Sequence, residues 1–340
     1  MDSSNFKKEE YVGIQWPKKE LGRTGLLVAP ICWGCAPLGD IPEVLGYRVA
    51  EEEAIKALLA AFGSQINFLD TSNSYGASEE RIGKALEEIG GLPKGFILAT
   101  KADRNLQTND FSAAQIRKSV KESIRRLGIG PLQLVYLHDP EYDPLYDGGG
   151  EAWFEKMMAQ GGPVAELERM KEEGLILNIG ISGGPIDMLL KFIKTGRFAA
   201  VITHNRWNLL WQLAEPLIEV AYQMGMGIVN AAPYASGILA TGPVAGALAA
   251  YHSPSEEIVE RVKRIEAACK KYDVPLAAAA LQFSLRDPRI TSTAVGISEH
   301  AQVEETLRLA SLPISDMLWE EIKKFVITDT DPEKDRWVVL

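Results

Sequence analysis

Short apolar runs alternate with longer amphipathic stretches along nearly the whole chain. The runs lie at residues 30–35, 67–70, 95–101, 132–138, 175–182, 199–203, 227–232 and 291–295. Runs so short and so continuously apolar suit strands buried on both faces, as in a parallel sheet. Each is followed by helical spacing. Glu51, Glu52 and Glu53 open one helix, well placed against its dipole. Ser78, Glu79 and Glu80 open the next, with Ile82, Leu86 and Ile89 along one side. Ser112 and Gln115 have capping-box spacing, and Ile116, Val120, Ile124 and Leu127 keep the period behind them. Further helices are predicted near 153–173, 185–195, 212–225, 275–286, 299–310 and 315–326. One more opens at Ser253-Pro254-Ser255-Glu256, read as a capping box with Pro254 at the first helical position.

Eight strand–helix beats without a composition break predict a closed α/β structure, the (β/α)8 TIM barrel. The chain, 1–340, then forms a single domain with its barrel core at about 18–326. Residues 18–29 place two apolar pieces around a Gly-containing turn, predicting a small N-terminal β-hairpin. A doubly wound open sheet is the rival, but Gly34-Cys35-Ala36-Pro37-Leu38-Gly39 lacks its Gly-x-Gly-x-x-Gly turn. Two long βα connections, 139–152 and 234–252, fall on the C-terminal rim, where long loops bind or cover ligands.

Three successive runs end in ionisable residues. Asp70 closes the second, Lys101 the third and His138 the fourth, while Tyr75 follows Asp70 in the connecting loop. In a parallel barrel these ends share one rim, the face where βα loops build active sites. An acid, a phenol, an amine and an imidazole around one mouth are a set for moving protons.

Bulk composition narrows the partners. Lys and Arg number 36 against 46 Asp and Glu, a net charge of −10, which disfavours nucleic-acid and anionic-membrane partners. Three cysteines point to a reducing, cytoplasmic setting. Cys32 and Cys35 sit three apart in a strand-like run, so their side chains face opposite ways and read as packing. Met1 to Lys8 lacks the apolar stretch and cleavage site of a secretory leader, and no run approaches the ~18 apolar residues of a membrane span. His252 and His300 join no metal-ligand spacing, and no metal site is predicted.

The stretch Phe68-Leu69-Asp70-Thr71-Ser72-Asn73-Ser74-Tyr75-Gly76-Ala77-Ser78-Glu79 resembles the aldo-keto reductase signature. The resemblance implies a catalytic tetrad of Asp70, Tyr75, Lys101 and His138. Tyr75 gives or takes the proton, its phenol lowered from about 10 by Lys101. Asp70 holds Lys101, and His138 hydrogen-bonds the reacting oxygen. His204-Asn205-Arg206-Trp207 and Asn230-Ala231-Ala232-Pro233-Tyr234 are similar to the family's sugar 1-dehydrogenases, a branch that also contains pyridoxal dehydrogenase-like members. The implied activity is NAD(P)-dependent hydride transfer from a sugar's anomeric carbon, with a lactone as product. The alternatives are a broad aldehyde or ketone reductase, a pyridoxal-type dehydrogenase, or a non-catalytic cofactor-sensing subunit. The intact tetrad speaks against the last.

The same resemblance assigns Ser182 and Gly183 to the carboxamide and Trp207 to stacking on nicotinamide. Tyr234, Ser236, Gly237 and Leu239 fall to the pyrophosphate; Gly296, Ser298, Gln302 and Thr306 fall to adenosine. Apart from the resemblance, Trp33, Tyr75, Tyr136, Trp207 and Tyr234 are aromatics available to line a pocket for a sugar's apolar face or a flat ring, Trp33 being a substrate candidate; His204, ending the sixth run, is read as lying against substrate or beneath nicotinamide, with core filling the alternative. No arginine stands between 296 and 306, where NADP-preferring relatives grip the 2′-phosphate, and Glu299, Glu304 and Glu305 add negative charge. NAD is therefore favoured over NADP. The expected partner is a small sugar or aldehyde; the oligomeric state stays open, with a monomer among the options.

Overall fold

The computed structural model describes residues 16–334. The reading of Met1 to Lys8 lies outside the described residues. Two short antiparallel strands, β1 (Lys19–Glu20) and β2 (Leu27–Val28), form the expected hairpin. Eight parallel strands follow: β3 (Ile31–Gly34), β4 (Phe68–Asp70), β5 (Ile97–Ala102), β6 (Leu134–His138), β7 (Ile179–Gly183), β8 (Ala200–His204), β9 (Gly227–Ala231) and β10 (Ser292–Gly296). They pair in chain order, and β10 returns to β3 to close the barrel. All eight predicted beats are present.

Between them run α1 (Pro42–Leu45), α2 (Glu51–Phe62), α3 (Ser78–Ile89), α4 (Ala113–Leu127), α5 (Glu151–Met158), α6 (Pro163–Glu172) and α7 (Ile186–Lys194). The outer layer continues with α8 (Glu215–Gln223), α9 (Ile238–Thr241), α10 (Glu256–Lys271), α11 (Leu276–Leu285), α12 (Ala301–Ser311) and α13 (Asp316–Ile322). No helix among the described residues is long and apolar enough to cross a membrane.

Several boundaries differ from the periodicity reading. The helix expected over 153–173 is two, α5 and α6, because Gly161-Gly162-Pro163 interrupts it and Pro163 starts afresh at a first helical position. Before α10, Ser255 rather than Ser253 is the cap, accepting from Ile258 N–H at 3.3 Å, so Pro254 precedes the helix. Ser112 caps α4 by accepting from Gln115 N–H at 3.3 Å, but Gln115 sends its own side chain to the Asp103 carbonyl. Ile89, at the end of α3, is exposed rather than packed.

The core has two parts. Outside the barrel wall, apolar faces of strands and helices form the larger one. Inside, Cys32, Phe68, Ile97, Ala99, Leu134, Tyr136, Ile202 and Val229 fill the bore, and Leu21 and Val28 of the hairpin join them. Strand alternation sends Cys32 inward and Cys35 to the outer core, both as free thiols, as expected. Tyr136 fits only because Gly180 faces it: a Cβ there would lie 2.3 Å from the Tyr136 ring.

Candidate active site

Lys101 and Asp70 end adjacent barrel strands with their side chains inside the mouth. Lys101 Nζ donates to Asp70 Oδ2 at 2.6 Å and to the Thr71 carbonyl at 2.8 Å, and both side chains are almost fully buried. Burial works against the Lys101 ammonium, but the Asp70 carboxylate and the Tyr75 hydroxyl outweigh it and hold it above the ordinary lysine value. Burial likewise lifts the Asp70 carboxyl, while Lys101 pulls it back.

Tyr75 is carried by the turn between β4 and α3. Its N–H donates to the Ser72 carbonyl at 3.1 Å, and its carbonyl accepts from Ser78 N–H at 2.9 Å. Two glycines let the turn lie directly on the loop after β3. A Cβ on Gly39 would stand 2.0 Å from the Tyr75 carbonyl oxygen, and Gly76 has φ +49. The Lys101 ammonium lies 4.6 Å from the centre of the Tyr75 ring, and the His138 ring meets it edge-on at 5.6 Å. The predicted tetrad therefore converges on one rim.

One electrostatic expectation is reversed. Lys101 does pull the Tyr75 phenol down, yet burial, seconded by Asp70 and Asp139, pushes it further up. The phenol is held protonated, which suits a donor.

His138 has its Nδ1 against Asp103 Oδ1, and Asp103 Oδ2 accepts from Ser72 Oγ. Asp103 was not among the residues singled out by sequence, although it sits two past Lys101 and so shares its face of the strand. Three other neighbours also escaped that reading. Asp139 accepts from Ser182 Oγ at 3.3 Å. Tyr251 turns its ring edge to His204 at 6.2 Å. Glu333 reaches in from the chain's far end, 127 residues from Arg206, and is itself buried. There Arg206 donates to Glu333 Oε1 at 3.1 Å and grips Asp331 through two nitrogens. His204 Nε2 lies 3.2 Å from the same Glu333 oxygen without an aligned hydrogen bond.

Two aromatic assignments are corrected. Trp33 is fully buried, belongs to the outer core, and donates from its indole to Ser64 Oγ at 3.3 Å. Alternation on β3 aims it at the helices, away from the substrate. Trp207 packs on Phe283 at 5.5 Å and under the Arg289 guanidinium at 5.7 Å, so the helical layer covers it instead of a nicotinamide. Tyr136 lies in the bore below the mouth, not on the pocket wall.

The remaining cofactor candidates divide by position. At the nicotinamide end, Ser182 and Gly183 close β7, and the neighbouring Asn205 keeps its buried Oδ1 without a partner. At the adenosine end, Gln302 Oε1 accepts from Ser298 N–H at 2.7 Å, and Thr306 is buried. Gly296, at the end of β10, is exposed. The Tyr234 hydroxyl is buried and unpartnered, with Glu305 acting on it. Unpartnered polar atoms at both ends fit a dinucleotide laid across the rim. Between them the fit is less direct: Gly237 and Leu239 N–H already donate to the Tyr234 carbonyl, and Ser236 Oγ accepts from Tyr251 N–H at 2.9 Å.

A match to the Aldo/keto reductase family spans residues 30–327. The chain belongs to that family. It is accordingly an NAD(P)-dependent oxidoreductase. The chain is 32% identical over 295 residues to L-galactose dehydrogenase of Arabidopsis thaliana, covering 85% of this chain and 86% of that protein. It is 31% identical over 327 residues to D-threo-aldose 1-dehydrogenase of a Pseudomonas species, covering 88% and 94%. Pyridoxal 4-dehydrogenase of Microbacterium luteolum is 27% identical over 339 residues, covering 90% and 96%. An aldo-keto reductase from Bacillus halodurans, solved in its holo form, superposes with a TM-score of 0.73 at 24% identity, covering 93% of this chain and 98% of that one.

Proposed function

We propose that this aldo/keto reductase oxidises a pyranose at its anomeric carbon, with NAD as coenzyme and a lactone as product. The observation that carries the reading is the convergence of Asp70, Lys101, Tyr75 and His138 on one rim. The sugar class rests on similarity to two aldose-type dehydrogenases.

Bound along the rim, the coenzyme supplies the hydride acceptor or donor, and the protein manages position and proton. Ser182 and Asn205 meet its carboxamide end; Tyr234, Ser298, Gln302 and Thr306 meet its adenosine end. Tyr75 Oη gives its proton to the reacting oxygen in reduction; in oxidation it must first release that proton and then takes the one leaving the substrate hydroxyl. Lys101 supplies positive charge beside that phenol, and Asp70 keeps Lys101 charged and aimed. His138 addresses the same oxygen from the other side. Tyr251 and His204 flank the substrate side of the mouth.

Acidic residues support NAD. Glu53 accepts from His300 N–H at 3.0 Å and contacts its ring at 2.7 Å, placing a carboxylate at the start of α12. Glu299 is exposed beside it, and Arg308 is engaged by both oxygens of Glu305. A 2′-phosphate would meet like charge there.

The test is a panel of fucose, galactose, arabinose and pyridoxal with NAD⁺ and NADP⁺, read by absorbance of the reduced nicotinamide. NAD-dependent turnover of a pyranose, with a lactone recovered, is the expected result. Turnover confined to aromatic aldehydes or pyridoxal would overturn the sugar assignment.

A further inference from the structure

Asp103 stands one residue beyond β5 and is 1% exposed. Helix α4 clamps its backbone: Asp103 N–H donates to Ser119 Oγ at 2.8 Å, and its carbonyl accepts from Gln115 Nε2 at 3.2 Å. One carboxylate oxygen meets His138 Nδ1 while the other accepts from Ser72 Oγ. Ser72 Oγ and Ser74 Oγ lie 3.3 and 3.4 Å from the same ring nitrogen and 2.8 Å from each other. The polar contacts of the ring thus gather on Nδ1. Nε2 is left to the mouth, with Asp139 Oδ2 at 3.6 Å.

We propose that Asp103 is a positioning residue for the reaction: by taking Nδ1 it makes the imidazolium the form in which His138 hydrogen-bonds the reacting oxygen. This rests on the tetrad reading above and deepens it. An ionised carboxylate only accepts, so Nδ1 must carry a hydrogen. A neutral ring then has a bare Nε2, whose lone pair opposes that of a carbonyl oxygen. Only the doubly protonated ring presents an N–H to the substrate. The charged and titratable groups facing it are Asp103 from β5, Asp139 after β6, Asp70 and Lys101 at the adjacent strand ends, and Tyr75 from the β4–α3 turn. Asp103 and Asp139 lie toward opposite nitrogens of the cation, and the Asp70–Lys101 pair cancels its own charge.

Asp103→Asn separates this role from simple packing, because an amide can donate to a bare Nδ1 and so release the neutral ring to carry its hydrogen on Nε2. The expected variant loses about tenfold or more in kcat for reduction and keeps KM within about twofold. The second measurement uses the parent protein without substrate. In ¹⁵N-histidine NMR, with the His138 signal assigned from His138→Gln, Nδ1 should read as protonated. A His138 Nδ1 that reads as unprotonated overturns the proposal whether or not the variant folds. So does an Asp103→Asn enzyme with parental kcat. The NMR result is independent of turnover, so it distinguishes an error about Asp103 from an error about the tetrad.

Discussion

Replacing Lys101 with Met tests whether the site's ion pair supports the fold as well as the chemistry. The ammonium lies 2.6 Å from Asp70 Oδ2 and 2.8 Å from the Thr71 carbonyl, and Asp70 Oδ1 has no hydrogen-bond partner. At an effective dielectric of about 20, charges that close attract by about 6 kcal/mol before desolvation is counted. Stripping one partner from a buried pair leaves a net loss of roughly 3–5 kcal/mol. For 340 residues, with an unfolding entropy of about 2.1 cal/mol/K per residue, the melting temperature should fall by about 4–7 °C. The sign of the pH dependence follows. Without Lys101, burial is opposed at Asp70 only by the weaker pull of His138 and sets its folded value above the unfolded one. The stability deficit is then largest above that folded value and shrinks as pH falls through it, for instance between about pH 8 and about pH 5. In the parent, Lys101 is raised, so its contribution is full at neutral pH and is lost only as pH climbs through a folded value above 10.5. The assay is calorimetry of the parent, Lys101→Met and Asp70→Asn/Lys101→Met at both pH values. The double variant should recover much of the loss, since no buried charge is left alone. A single variant that melts with the parent, or a double variant no better than the single, would refute the reasoning.

Tyr75→Phe should cut turnover by at least ~10² with coenzyme affinity nearly intact; steady-state rates and coenzyme titration decide it, and retained activity removes Tyr75 from proton transfer. Glu299→Arg should raise the ratio of NADP to NAD kcat/KM by about tenfold or more, since a guanidinium replaces a carboxylate where a 2′-phosphate would sit; an unchanged ratio places that phosphate elsewhere. Glu333→Ala removes a carboxylate from the buried Arg206 guanidinium and should cost about 2 kcal/mol in urea unfolding, a prediction that fails if the midpoint does not move.

The barrel was legible because each strand is a brief, wholly apolar run and each helix carries its own stripe. The tetrad was legible for a related reason: a polar residue ending such a run must face the rim. What periodicity missed was mostly decided by side-chain direction. Trp33 and Trp207 carry aromatic surface that reads equally well as pocket or packing, and only the strand's facing and Phe283 settle it. Asp103 was within reach, since an interior Lys101 implies an interior neighbour two residues on. Glu333 was not: nothing local to it signals a guanidinium more than a hundred residues away. The break at Gly161-Gly162-Pro163 was in plain view and should have outweighed the helical spacing around it.

Gly180 makes no contact with any group proposed to react, yet it governs the height of the catalytic floor. Tyr136 pairs in register with Lys101, and its ring occupies the space a side chain on Gly180 would take. One added methyl would have to be absorbed by a shift of that ring. The reactive ensemble thus stands on a plinth whose level was fixed by omitting a single carbon from the neighbouring strand.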